Sequence, residues 1–267
     1  MYFKQKESGA VPSIIHANGP SKFTDYWDKA VSLFFSEPSI QGQVDKDLTV
    51  MTWSIPDERT LLENCFNKYN IEDRLIVIPM KKPFDFLDKI RNMYKYLKTV
   101  NTKYVMALDA TDVMTFGHDA CDEALQRFKN KNVKAVFSAE IPQWPNPETR
   151  QGIMDPHSGA PLEQLKWINE LIQVRRIDEV YAWLGSSFTH ICSGCWIGET
   201  RYMYDFYEEL MDVIPDGYYE EGLFGGEQGF VQLVAARRFP EVIADSKSEI
   251  FLNLSGTTPD EAELIID

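Results

Sequence analysis

The chain has 267 residues, with 27 Lys and Arg against 41 Asp and Glu, for a formal net charge of −14 at neutral pH. Apolar residues at 44 % and charged residues at 25 % exclude wholesale disorder, a collagen-like repeat and a small disulfide scaffold. So acidic a chain repels the phosphate backbone whose neutralisation drives non-specific nucleic-acid binding. Nucleic acid is therefore not an expected partner, and an anionic ligand would need a cation to bridge it.

The opening residues, MYFKQKESGA, hold no apolar run that could form a signal-peptide core, and no apolar stretch approaches the ~18 residues of a membrane span. The expectation is a cytoplasmic protein without a membrane span. Residues 11–17 read as a strand, Asn18-Gly19-Pro20 as a turn, and 23–35 as a helix. Residues 36–47 are polar and without period, and read as a connector. From 48 onward short apolar strands alternate with helical patterns, the signature of an α/β fold.

Strands are expected over 48–53, 74–79, 104–108, 133–138, 189–197 and 250–254. Helices are expected over 58–70, 84–98, 119–129, 162–175, 202–213 and 227–236. The Pro-, Asn- and Gly-rich stretch 143–161 reads as a long loop, and loops of that length are usually functional or disordered. Four cysteines, Cys65, Cys121, Cys192 and Cys195, are too few for a disulfide framework. The Cys-x-x-Cys spacing of the last two has no second Cys pair beside it, which favours small residues in a tight strand region over a redox or zinc site.

The strongest local signal is Asp109-Ala110-Thr111-Asp112, directly after the apolar run YVMAL. Ligands of open α/β sheets bind beyond the carboxyl ends of strands. Two carboxylates on one turn there can share a hard divalent cation that bridges phosphate oxygens. A capping or turn role for the two acids fits the spacing equally well. The second signal is IIHANGPSK (14–22), which sets His16 at a strand end and Lys22 at the mouth of a helix. An imidazole can ligate Mn2+, and a helix N-terminus with a Lys suits phosphate, although a lone His is more often structural.

These segments together with AVFSAEIPQWP (135–145), CSGCWIG (192–198), EQGFV (227–231) and ADSKSEIFLNLSG (244–256) span nearly the whole chain. The sequence resembles the glycosyltransferase domain of procollagen lysyl hydroxylases and the related collagen glycosyltransferases. In that family the His-x-Asn-Gly-Pro segment follows the last strand, whereas here it comes first. The resemblance thus implies a circularly permuted A-type glycosyltransferase fold. It would be one Rossmann-like domain over 1–267, with a displaced metal- and phosphate-binding segment (1–35), a linker (36–47) and an α/β body (48–267). The alternative is that 1–35 belong with a neighbouring copy or a partner, in which case His16 would not complete this chain's own site.

The resemblance implies a transferase that moves a hexose, glucose or galactose, from a UDP-sugar to an acceptor hydroxyl with Mn2+ or another divalent cation. Asp109, Asp112 and His16 would ligate the metal, and Lys22 with Asn18, Gly19 and Pro20 would hold the distal phosphate. Thr52 matches a uridine contact at a strand end. Thr111 stands where the family has an aromatic residue that stacks on uracil. Glu140, Ser193, Gly194 and Gln228 would line the donor sugar. Glu227 and Trp144 would act on the acceptor side, Glu227 as the one base candidate, and Asp245 matches a family acid of uncertain role. Two other classes remain open: a metal-dependent nucleotidyltransferase or phosphodiesterase, and a catalytically silent nucleotide-sugar-binding module.

Overall fold

The computed structural model describes residues 2–55, 59–83, 85–144, 168–214, 227–257 and 262–266. Its main sheet has six strands: β3 (Leu48–Ser54), β4 (Leu75–Pro79), β5 (Tyr104–Leu108), β7 (Ala135–Glu140), β8 (His190–Glu199) and β9 (Val242–Ala244). The strand order is β4-β3-β5-β8-β7-β9. β8 runs antiparallel to both its neighbours, while the β3–β4, β3–β5 and β7–β9 pairs are parallel. β5 and β7 are buried at every position, as suits strands covered on both faces.

A second, three-stranded sheet joins β2 (Ile14–His16) to β10 (Phe251–Asn253) in parallel and to β6 (Val113–Thr115) antiparallel. The N-terminal segment therefore lies in the middle of this sheet, with His16 opposite Val113 on one side and Asn253 on the other. Near the ends of the chain, β1 (Tyr2–Gln5) pairs antiparallel with β11 (Ala262–Ile265).

The helices flank the main sheet. α1 (Asp25–Ser36) starts at Thr24, whose hydroxyl accepts the Trp27 N–H. α2 (Leu61–Lys68) starts in a reciprocal capping box between Thr60 and Glu63, which satisfies two otherwise orphaned amides. α2 packs against β6, and α4 (Ala120–Asn130) against β2 and β8. α3 (Phe86–Leu97) lies on α6 (Thr200–Val213), and α7 (Glu227–Arg237) packs on α5 (Ile168–Trp183), α6 and β8. No helix among the described residues is long and apolar enough to cross a membrane.

The sequence misplaces several boundaries. The strand expected over 11–17 shrinks to Ile14–His16. The helix expected from 23 is a 3-10 turn over Gly19–Phe23 followed by α1. The helix expected to end at 175 runs on to Trp183, because Ile177 and Tyr181, four apart, continue the buried stripe. Of the loop expected over 143–161, only Gln143 and Trp144 lie within the described residues. Beyond Ser36, the last residue of α1, the connector has no regular structure but is pinned: the Gly42 N–H donates to the Tyr69 carbonyl and the Gln43 N–H to the His118 carbonyl.

Candidate metal centre

The chain runs from β3 outward to β4 and then returns past β3 to β5, so the strand order reverses between β3 and β5. The crevice beyond the carboxyl ends of these two strands is where an open sheet of this kind leaves room for a ligand. Asp109 follows β5 directly, and its N–H donates to the Gly194 carbonyl. Asp112 precedes β6, and its carbonyl accepts the Ala17 N–H. That bond and the His16–Val113 register set His16 beside Asp112.

Three ligand atoms converge as a result. His16 Nε2 is 3.6 Å from Asp109 Oδ2 and 3.5 Å from Asp112 Oδ1. One potential ligand atom from each of the three residues lies within 4.8 Å of the others. Nε2 is buried and has no hydrogen-bond partner, although it points among carboxylates. A buried nitrogen left unsatisfied is costly. A divalent cation would use its lone pair, and one imidazole with two carboxylates is a donor set that suits Mn2+ or a similar ion. The residues fit a metal ion. Gly194 closes the wall, with no room for a side chain.

Lys22 Nζ lies 3.2 Å from Asp112 Oδ2. Burial works against the Asp112 carboxylate, but His16 and Lys22 outweigh it and its pKa falls to about 2. For His16, burial opposes charging of the ring while Cys195, Asp112 and Cys192 favour it, and its pKa is raised. The α-helix after this segment begins only at Asp25, so a phosphate here would meet the Lys22 ammonium rather than an α-helix N-terminus. Gly19 takes φ +60°, a left-handed conformation, at the turn after Asn18.

Behind the carboxylates sits Lys89, which the sequence reading misses. Its ammonium lies 2.8 Å from Asp109 Oδ1, 3.1 Å from Glu227 Oε1 and 4.7 Å from the centre of the Trp53 ring. Burial opposes its charge, yet Asp109 and Glu227 hold its pKa above the ordinary lysine value. One signal could have found it: Lys89 falls four residues before Met93 and eight before Leu97, on the buried stripe of α3. Burial pushes the Glu227 carboxyl up, with Lys89 pulling the other way.

The sugar-side candidates form one hydrogen-bonded network. Ser193 Oγ donates to Glu227 Oε1 and its N–H to Gln228 Oε1, both at 3.2 Å. Gln228 Nε2 donates to Glu140 Oε1 at 2.5 Å and to the Trp144 carbonyl at 3.2 Å, and Asn18 Nδ2 donates to Glu140 Oε2 at 2.7 Å. Glu140 is buried, which raises its pKa. Trp144 stands half-exposed beside this network, held through its carbonyl, which also accepts from Gln232.

Three further residues singled out in the sequence lie outside this network. Thr52 is fully buried and its hydroxyl donates to the Leu108 carbonyl, so it supports the end of β5 and has no free hydroxyl for a uridine. Thr111 is exposed between the two acids. Asp245 Oδ2 accepts the Ile250 and Phe251 N–H groups and so shapes the turn into β10. All four cysteines are free thiols. Comparison of the sequence with models of known families and with curated proteins finds no match.

Proposed function

We propose that the chain is a metal-dependent glycosyltransferase that moves a hexose from a UDP-sugar to an acceptor hydroxyl. The observation that carries this reading is the cage of His16, Asp109 and Asp112 beyond β5, with Lys22 beside it. The sequence resemblance to the glycosyltransferase domain of lysyl hydroxylases adds the choice of donor. A mixed sheet with β8 reversed accords with the A-type fold that the resemblance implies. The place of β2 between β10 and β6 accords with a permuted order in which residues 1–35 serve the body of the same chain.

A divalent cation such as Mn2+, when bound, supplies positive charge against the diphosphate. Lys22 gives up its contact with Asp112 to hold the distal phosphate, where its ammonium offsets charge developing on the leaving group. Ser193 and Gly194 keep that side of the crevice free of bulk, so the sugar ring can lie close to the backbone of β8. Glu227, with its raised pKa, accepts a hydrogen bond from the acceptor hydroxyl, and takes its proton if the reaction inverts at the anomeric carbon. Lys89 holds Glu227 and Asp109 at a fixed separation. Trp144 offers a flat apolar face to an acceptor sugar, and exposed Thr111 offers a hydroxyl to the uracil side in place of an aromatic ring.

The test is to incubate the protein with Mn2+ and each common UDP-sugar and to measure released UDP, with Asp112→Ala as control. Metal-dependent release lost in the variant supports the reading. No release together with no thermal shift by UDP overturns it. A UDP-induced shift without release marks a silent nucleotide-sugar-binding module instead.

A further inference from the structure

The two ring nitrogens of His16 meet different surroundings. Nε2 faces Asp109 and Asp112 without a hydrogen bond. Nδ1 lies 3.8 Å from Cys192 Sγ, within hydrogen-bond reach of sulfur. An imidazole ligates through the nitrogen that has no proton, and the partner of the other nitrogen decides which one that is. A proton on Nε2 would face the Asp109 and Asp112 oxygens at 3.6 and 3.5 Å and would take up the lone pair that a cation needs. A proton on Nδ1 meets the sulfur and leaves the Nε2 lone pair toward the carboxylates.

The surroundings of Cys192 suit an acceptor. Asn18 Nδ2 points at the same sulfur from 3.9 Å. Cys192 is buried within β8. Its position comes from a break in the sheet. Phe137 of β7 pairs with Trp196, but the next residue, Ser138, pairs with Cys192, so Ser193, Gly194 and Cys195 bulge out of this ladder. Bulges of this kind re-aim side chains next to active sites. Here the bulge brings Cys192 to His16 and the Gly194 carbonyl to Asp109.

We propose that Cys192 is a positioning residue of the metal centre: its sulfur accepts the Nδ1–H of His16 and so fixes the ring with Nε2 aimed at the cation. This rests on the reading of His16, Asp109 and Asp112 as a metal centre. It gives the Cys-x-x-Cys segment a role that is neither redox chemistry nor zinc ligation.

The test is Mn2+ titration calorimetry on the wild type, Cys192→Ala, Cys192→Ser and Cys121→Ala, with thermal unfolding of each ion-free protein. Loss of such a second partner costs about 10–100-fold in metal affinity, which is the expected effect of Cys192→Ala. Cys192→Ser keeps an acceptor and recovers most of the affinity, while Cys121→Ala, a buried cysteine on α4, leaves it unchanged. Cys192→Val replaces the alanine variant if the cavity prevents folding. Mn2+ affinity equal to wild type in the alanine or valine variant overturns the inference, as does a serine variant that binds no better than alanine. Absence of Mn2+ binding by the wild type overturns the metal centre itself, and this inference with it.

Discussion

A Cβ on Gly194 would lie 2.3 Å from Cε1 of His16. The same atom would lie 2.6 Å from Asp109 Oδ2, so the glycine is required by two of the three ligands at once. Gly194→Ala must push the imidazole or the strand aside. Overpacking of this kind costs about 1–3 kcal/mol of stability. Displacing a ligand also lowers Mn2+ affinity, by an expected factor of at least about ten, comparable to the loss of a group that orients a ligand. Calorimetry and thermal unfolding check the two effects separately, and an alanine variant that binds Mn2+ like the wild type would show that Gly194 does not set the cage.

Lys89 holds two carboxylates, the buried Glu227 and the partly buried Asp109, with one charge. Lys89→Met keeps the length of the side chain but leaves Asp109 and Glu227 facing each other without a cation. Breaking a buried ion pair from one side costs about 3–5 kcal/mol. Adding Glu227→Gln removes one of the stranded charges and should restore part of the loss. A double-mutant cycle from denaturant unfolding of the ion-free protein measures this coupling. Simple additivity of the two substitutions would mean that the contact at 3.1 Å carries no energy.

The part of the site legible in the sequence is the part built by local chain geometry. Asp109 and Asp112 can be placed because a fully apolar strand delivers them to a turn, and such strands announce themselves by composition. His16 needs more, since nothing local says that β2 will lie between β10 and β6. Strands of three or four residues, such as β1, β6, β9 and β11, show too little period to be seen, and β6 is the strand that sets His16 beside Asp112. Lys89 escapes because a lysine in an amphipathic helix ordinarily reads as part of the solvated face. Cys192 escapes because its partner depends on a bulge, and a bulge is a property of two strands together.

Away from the site, Lys131 links Glu249 to the start of the turn into β10. Its ammonium pairs with Glu249 Oε2 and lies 3.4 Å from buried Asp245 Oδ1. The hydrogen bond from Lys131 pulls the Glu249 pKa below the ordinary value of 4.5. A carboxyl depressed by folding contributes stability that is complete above its unfolded value and disappears as pH falls through the folded one. The contribution of Glu249 is thus whole above about pH 4.5 and fades below it. Glu249→Gln should lower the melting temperature at neutral pH and leave it unchanged in strong acid, so the two melting curves converge as pH falls. The effect is small because the carboxyl is partly solvated. Parallel curves at all pH values would refute the assignment.

The fit of a cation to the cage makes a prediction that needs no substrate. An ion that binds the folded chain alone stabilises it by mass action, by about 2.7 kcal/mol at one hundred times its dissociation constant. Unfolding of the wild type should therefore shift upward with Mn2+ concentration. Asp112→Asn removes a ligand charge, keeps the side-chain size and should abolish the shift. The same substitution removes the partner of Lys22, so the ion-free variant also loses the contact at 3.2 Å, and the two consequences separate by measuring each protein with and without the ion. Mg2+ should give a smaller shift than Mn2+ at equal concentration, because Mg2+ favours oxygen ligands while one of the three donors here is an imidazole. Equal shifts for both ions would place the cation on the carboxylates alone and remove His16 from the centre.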